Sequence, residues 1–206
     1  MNIGIIGLGS IATKISKTVK KLNRPEIRLY ACASRSIKKA EAFKKKYSFE
    51  KAYGDGKALI ADNKVDLVYV ATPHPFHYEI ALTAISAGKN VIVEKPVCTD
   101  AKKFERLSAL AKEKGVFFSE AFWTAFDPLV KIIVDRLYSG VYGNIVSVKS
   151  QFGLPLKHVE RLTCVNLAGG ALLDLGVYCV FHSVYYNLNH SDSKTQIMKK
   201  NGLKMA

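Results

Sequence analysis

Ile3-Gly4-Ile5-Ile6-Gly7-Leu8-Gly9-Ser10-Ile11-Ala12 is an apolar strand that runs directly into Gly-x-Gly-x-x-Ala and then into a helical pattern. Each small residue has its own mechanical task. Gly7 lets the chain turn sharply off the strand, Gly9 lets a pyrophosphate approach the backbone, and Ala12 lets the helix pack closely on the sheet. The helix, opened by Ser10 and Ile11, then aims its unpaired N–H groups and its positive dipole end at phosphate. By itself the pattern also describes an ordinary strand–turn–helix. The strand before it and the helix after it favour dinucleotide binding.

Working outward, apolar strand-like runs alternate with helical patterns as far as residue 120. Strands are read at residues 2–6, 27–33, 66–71, 90–94 and 116–119, with helices near 10–22, 37–47, 76–87 and 101–114. Val65-Asp66-Leu67-Val68-Tyr69-Val70 and Val91-Ile92-Val93 are almost wholly apolar, as strands covered on both faces should be. Thr99-Asp100 offers N-caps, Gly88 and Gly115 stand where helices stop, and Asp127-Pro128 starts another helix. Such alternation predicts an α/β fold, a doubly wound parallel Rossmann sheet with right-handed crossovers.

Beyond residue 120 the pattern changes. A helix near 128–138, the turn-rich Ser139-Gly140-Val141-Tyr142-Gly143, a strand at 145–152 and a long helix at about 170–188 are expected. From about His190 the chain is polar and basic with little periodicity, and disorder is expected there. The domains read as 1–120, binding the dinucleotide, and 121–206, an incomplete α+β domain for substrate and dimerisation.

Composition narrows the function classes. The chain has 206 residues, 49% hydrophobic and 23% charged, which suits a globular protein with a buried core. No uninterrupted apolar run reaches bilayer length, and no basic leader precedes the first strand, so neither a membrane span nor a signal peptide is expected. Cys32, Cys98, Cys164 and Cys179 are scattered without a Cys-x-x-Cys pair, which predicts reduced thiols in a cytoplasmic protein. The net charge of +14 would attract polyanions. The lysines are dispersed on helix faces without a recognition motif, so nucleic acid is not the expected partner. A basic field of this kind helps to collect a phosphorylated cofactor. His74 and His77 have no third or fourth ligand beside them, so no metal is expected.

The choice between coenzymes rests on the end of the second strand. A carboxylate for the ribose is expected about 20 residues past the fingerprint in NAD sites. The chain instead carries Ala31-Cys32-Ala33-Ser34-Arg35-Ser36. Ser34 and Ser36 can hydrogen-bond a 2′-phosphate and Arg35 can pair with it bidentately, so NADP(H) is favoured over NAD(H). A surface turn with a solvated arginine is the plainer alternative.

Four further blocks follow in order: Ala71-Thr72-Pro73-His74-Pro75-Phe76-His77, Glu94-Lys95-Pro96, Glu120-Ala121-Phe122-Trp123-Thr124, and Gly169-Gly170-Ala171-Leu172-Leu173-Asp174-Leu175-Gly176-Val177-Tyr178. With the fingerprint they resemble the Gfo/Idh/MocA oxidoreductases, and most of all the dimeric dihydrodiol dehydrogenase and sugar-oxidoreductase branch, over residues 2 to about 188. The resemblance implies that Lys95 is catalytic, that Pro96 follows a cis bond, and that Thr72, Pro73, His77 and Glu94 line the cofactor. It also places Trp123 near substrate, and Arg161 where the family often has an arginine near substrate, with a surface arginine as the plainer alternative. Position 125 is Ala where relatives often carry arginine, and relatives commonly run well past three hundred residues with a large C-terminal sheet.

The residues support this chemistry independently. Thr72 and Lys95 lie just past strand ends, where open α/β sheets bind ligands. Asp174 and Tyr178 are four apart, on one face of a helix that His182 continues. Hydride transfer to a carbonyl leaves an alkoxide that must be protonated, and a phenol of pKa about 10 needs a nearby cation to do this well. Tyr178 is therefore read as acid/base, Lys95 as its electrostatic activator and a substrate binder, and Asp174 as the orienting partner. His182 reads as a packed or hydrogen-bonded helix residue, and Phe181 and Tyr185 as an aromatic core stripe.

The expected function is NADP-dependent oxidation or reduction of a sugar, polyol or related hydroxy/carbonyl compound. The alternative is a truncated remnant that binds NADP without efficient turnover and serves as a binding module. The interface sheet through which relatives form homo-oligomers is largely missing from the sequence.

Overall fold

The computed structural model of the protein describes residues 1–156 and 158–187. By contact the chain divides into two units, one of Met1–Ala121 with Cys164–Ala168, the other of Phe122–Thr163 with Gly169 onward.

The first unit holds a six-stranded parallel sheet. Its strands are β1 (Asn2–Ile6), β2 (Arg28–Ala33), β3 (Lys51–Tyr53), β4 (Leu67–Val70), β5 (Asn90–Glu94) and β6 (Phe118–Ala121), in the order β3-β2-β1-β4-β5-β6. The helices are α1 (Ser10–Leu22), α2 (Ile37–Tyr47), α3 (Gly56–Ala61), α4 (His77–Ser86) and α5 (Ala101–Lys114). Helices cover both faces because alternate strand residues supply two cores. Ile5, Cys32, Leu67 and Tyr69 pack with Ala12 of α1 and Phe43 of α2 on one face. Val68, Val70, Val91 and Val93 pack with Leu59, Ile85 and Leu107 of α3, α4 and α5 on the other. This is the doubly wound Rossmann arrangement, whose strand order reverses between β1 and β4.

Local signals fix the helix ends. Asp100 accepts from the Lys102 N–H at 2.8 Å to cap α5, and Gly115 ends it in the left-handed region. Two elements were not read from sequence, the three-residue edge strand β3 and the six-residue α3, which Asp55 caps through the Ala58 N–H at 2.8 Å. The last strand lies two residues later than expected, at Phe118–Ala121, because pairing of Val91 with Phe118 sets its register.

The second unit contains α6 (Pro128–Tyr138), started by Asp127 and Pro128 as expected. It also holds the short α7 (Glu160–Thr163), a π turn at Leu172–Gly176 and α8 (Val177–Asn187). The strand expected at 145–152 is not formed. No other strand occurs among the described residues of this unit, so 145–152 has no ladder to join, and Val146 is 97% exposed. The helix expected from residue 170 starts as the π turn, and its expected end at Leu188 and the tail from His190 lie outside the described residues.

By length and composition Val165–Tyr186 could cross a membrane, contrary to the reading of the sequence. Its backbone is interrupted, however, by positive φ at Ala168 and Gly170, and it carries the ion-paired Asp174. The four cysteines are all free thiols. Burial pushes the Cys32 thiol up to about 12, with Glu41 adding to the effect, so it stays protonated and inert.

Candidate active site

The switch point between β1 and β4 forms a cradle. Gly7 turns off β1 at φ +93°, and a Cβ there would sit 2.7 Å from the Ala71 carbonyl and the Thr72 nitrogen. Only glycine brings the two strand-end loops so close. Gly9 faces open space, with nothing within 4 Å of where its Cβ would stand. It caps α1 without any side-chain acceptor, and no acidic residue occupies the first turn. Ser10 is exposed beside it, Ile11 is half-buried, and buried Ala12 seats the helix on the sheet. The Thr72 hydroxyl is buried and has no hydrogen-bond partner. Free helix N–H groups, room above Gly9 and an orphan hydroxyl fit the pyrophosphate of a dinucleotide.

At the end of β2, Ser34 is half-buried and Arg35 and Ser36 are exposed. Ser36 caps α2 through the Lys39 N–H at 3.3 Å, and the Arg35 guanidinium lies 6.0 Å from the centroid of the Phe76 ring. Two lysines, Lys38 and Lys39, sit in the first turn of α2, where the helix dipole disfavours cations. A bound phosphate would relieve that repulsion.

Lys95 leaves β5 on a tightly held turn. The Lys95–Pro96 peptide is cis. The Val97 N–H donates to Glu120 Oε1 at 2.9 Å, and Pro96 O lies 2.8 Å from His77 Nδ1. His77 Nε2 lies 2.7 Å from Thr72 O, so one fully buried imidazole joins the loops that carry Thr72 and Lys95. Pro73 opens the 3-10 turn His74–Phe76 between them, and His74 Nδ1 meets Ala168 O at 3.3 Å.

In the second unit, Tyr178 lies on α8 among aromatic rings. Its hydroxyl accepts from Trp123 Nε1 at 3.2 Å, and the rings of Phe122 and Phe152 stand 5.1 and 5.4 Å away. Buried Asp174 forms an ion pair with Arg161 at 3.1 Å. Arg161 was expected near substrate, and this pairing ties it to the carboxylate one helical turn before the phenol. His182 hydrogen-bonds Tyr186 at 3.0 Å, and Phe181 stacks on Tyr185 at 4.8 Å.

Glu120 and Tyr69 were not singled out as site residues from the sequence. Both act across neighbouring strands, which a single sequence does not display. A cavity of about 380 Å³ in the second unit, lined by Leu137, Tyr142, Asn144, Val148, Lys149 and Tyr186 among others, contains none of the expected site residues. Among the described residues no three His, Cys, Asp or Glu side chains gather as metal ligands.

Comparison with known proteins identifies the family. Residues 1–122 match the GFO_IDH_MocA family, described as an oxidoreductase family with an NAD-binding Rossmann fold. The chain is similar to trans-1,2-dihydrobenzene-1,2-diol dehydrogenase of Mus musculus, 38% identical over 177 residues, covering 86% of this chain and 53% of that protein. The Xenopus tropicalis protein of the same name is 33% identical over 193 residues, 93% of this chain and 58% of that one. Among solved structures, KijD10, a 3-ketoreductase from Actinomadura kijaniata in complex with NADP and TDP-benzene, is 34% identical with a TM-score of 0.83. That match covers 90% of this chain and 57% of KijD10. The chain thus spans about half the length of the relatives it matches. It belongs to the Gfo/Idh/MocA family of NAD(P)-binding Rossmann oxidoreductases.

Proposed function

We propose that the chain binds NADP(H) through Met1–Ala121 and takes part in hydride transfer to or from a sugar, polyol or related hydroxy/carbonyl compound. The observation that carries this reading is the cradle at Gly7, Gly9 and Thr72, with its free helix terminus and orphan hydroxyl. The absence of a carboxylate after β2, together with Ser34, Arg35 and the two lysines of the first α2 turn, supports NADP(H) over NAD(H). Similarity to a dihydrodiol dehydrogenase and to a 3-ketoreductase supports a hydroxy/carbonyl substrate.

When bound, the nicotinamide supplies or accepts the hydride. Lys95 places a positive charge against the oxygen of the reacting carbon, stabilising the alkoxide and favouring proton release from a phenol. Tyr178 gives that oxygen its proton in reduction and takes it in oxidation. The indole N–H of Trp123 fixes the phenol, and Asp174, held by Arg161, keeps α8 in place beneath it. His77 acts by holding the Thr72 and Pro96 loops together.

A second reading, cofactor binding without efficient turnover, is favoured by residues 144–156, which form no strand. Titration with NADPH and NADH, alongside a panel of carbonyl and polyol substrates, separates the two. Saturation with turnover supports the enzyme, and saturation without turnover supports the binding module. Arg35→Ala should weaken NADPH by about tenfold to a hundredfold, the worth of a charge-assisted hydrogen bond, and leave NADH nearly unchanged. Equal losses for both coenzymes would remove Arg35 from the phosphate.

A further inference from the structure

One polar contact at the carboxyl edge of the sheet joins Glu94, expected from the sequence to line the cofactor, to Tyr69, which has been given no role. The Tyr69 hydroxyl donates to Glu94 Oε1 at 2.5 Å. Tyr69 is buried in β4, and Glu94 is the half-exposed last residue of β5. The register explains how they meet. Ile5, Tyr69 and Ile92 lie in one row across β1, β4 and β5, so Gly7, Ala71 and Glu94 stand level two residues further on. Residues two apart share a face of the sheet, which puts Glu94 on the same face as Tyr69. That face packs Leu8 and Ala12 of the fingerprint. The carboxylate is therefore two strands, roughly 10 Å, across from the Gly7 turn.

A dinucleotide laid on this edge has a fixed direction. With its adenosine side at Ser34 and Arg35 on β2 and its pyrophosphate at β1, the nicotinamide-side ribose crosses β4 toward β5. A carboxylate accepts hydrogen bonds on two oxygens, and ribose hydroxyls are donors. Oε1 is taken by the tyrosine. Oε2 is the second acceptor of this half-exposed side chain.

We propose that Tyr69 is a positioning residue that locks the Glu94 carboxylate so that its second oxygen accepts a hydroxyl of the nicotinamide-side ribose. Burial first, and then the adjacent Glu94 charge, push the Tyr69 phenol upward, so it remains a donor throughout the neutral range. The bond is short and charge-assisted, and the ring is fixed by packing, so the carboxylate has one orientation in which to meet a ligand. This inference rests on the reading of the first unit as the NADP(H) site.

The test uses the full chain, Tyr69→Phe and Glu94→Gln, with melting curves to verify folding. Dissociation constants are measured for NADPH and for 2′,5′-ADP, which carries the adenosine-side phosphates but no nicotinamide riboside. Tyr69→Phe should weaken NADPH roughly tenfold and leave 2′,5′-ADP unchanged. Glu94→Gln should behave likewise, and the double variant should be little worse than either single one, as two members of one interaction require. Native NADPH affinity in Tyr69→Phe, equal losses for both ligands, or additive losses in the double variant would each overturn the proposal. If the unaltered chain binds neither ligand, the NADP(H) reading fails first and this inference fails with it, whereas a Tyr69 failure alone leaves that reading standing.

Discussion

In the first unit, six strands share one parallel ladder and bury valines and isoleucines on two faces. In the second, residues 144–156 run without a partner strand, and Trp123, Phe126, Leu129 and Leu172 are all more than 60% exposed. One unit thus satisfies its strand backbone and apolar side chains internally, while the described residues of the other leave 144–156 without a ladder and several large apolar side chains exposed. The features that fit a cofactor and the phenol read as acid/base fall in different units, the first and the second.

The largest effect that tests this division belongs to the second unit. Tyr178→Phe should lower kcat by a factor of about 10² to 10⁴, the range of general acid–base catalysis, with NADPH affinity unchanged. Loss of cofactor binding in this variant would break the separation of roles. Next comes the cradle. Gly7→Ala would set a methyl 2.7 Å from backbone atoms at a φ of +93° and should cost on the order of 3 kcal/mol, read as a fall in melting temperature. Unchanged stability would show that the β1 and β4 loops can separate freely.

A smaller effect probes the sheet edge. Asp62 accepts from Lys51 Nζ at 2.8 Å, the Tyr53 hydroxyl at 2.6 Å and the Lys64 N–H at 2.9 Å. Burial alone would raise its carboxyl, but these donors outweigh it and hold the group well below the ordinary 3.8. A carboxyl depressed in the folded state contributes fully above that ordinary value, and the contribution is lost as pH falls below it. Asp62→Asn should therefore cost about 1–2 kcal/mol at neutral pH and flatten the acid limb of the stability curve below roughly pH 4. An acid limb identical to that of the native chain would remove Asp62 from this role. The smallest effect is expected at Val146, where Val146→Thr should change stability by less than about 0.5 kcal/mol. A larger loss in melting temperature would reveal packing on 145–152 that the unpaired stretch does not show.

What the sequence disclosed follows the same line. β1, β2, β4 and β5 are legible because buried parallel strands are written as short apolar runs, and the glycine fingerprint because its turn admits few other residues. Lys51–Tyr53 escaped because an edge strand of three residues, led by a lysine, has no period to read. Gly56–Ala61 escaped because six residues barely exceed one helical turn and a half. At 145–152 the apolar residues suggested a strand that is not formed, since a strand is a relation between two segments. Lys95, Thr72 and Tyr178 could be singled out by position and chemistry. The Tyr69–Glu94 and Val97–Glu120 hydrogen bonds and the Arg161–Asp174 ion pair could not, because each is made only when distant segments come together.

Calorimetric titration of the folded chain with NADPH and then NADH tests the central claim most directly. One saturable site that takes NADPH more tightly than NADH is the predicted result. Folded protein that gives no saturable binding with either coenzyme would contradict it.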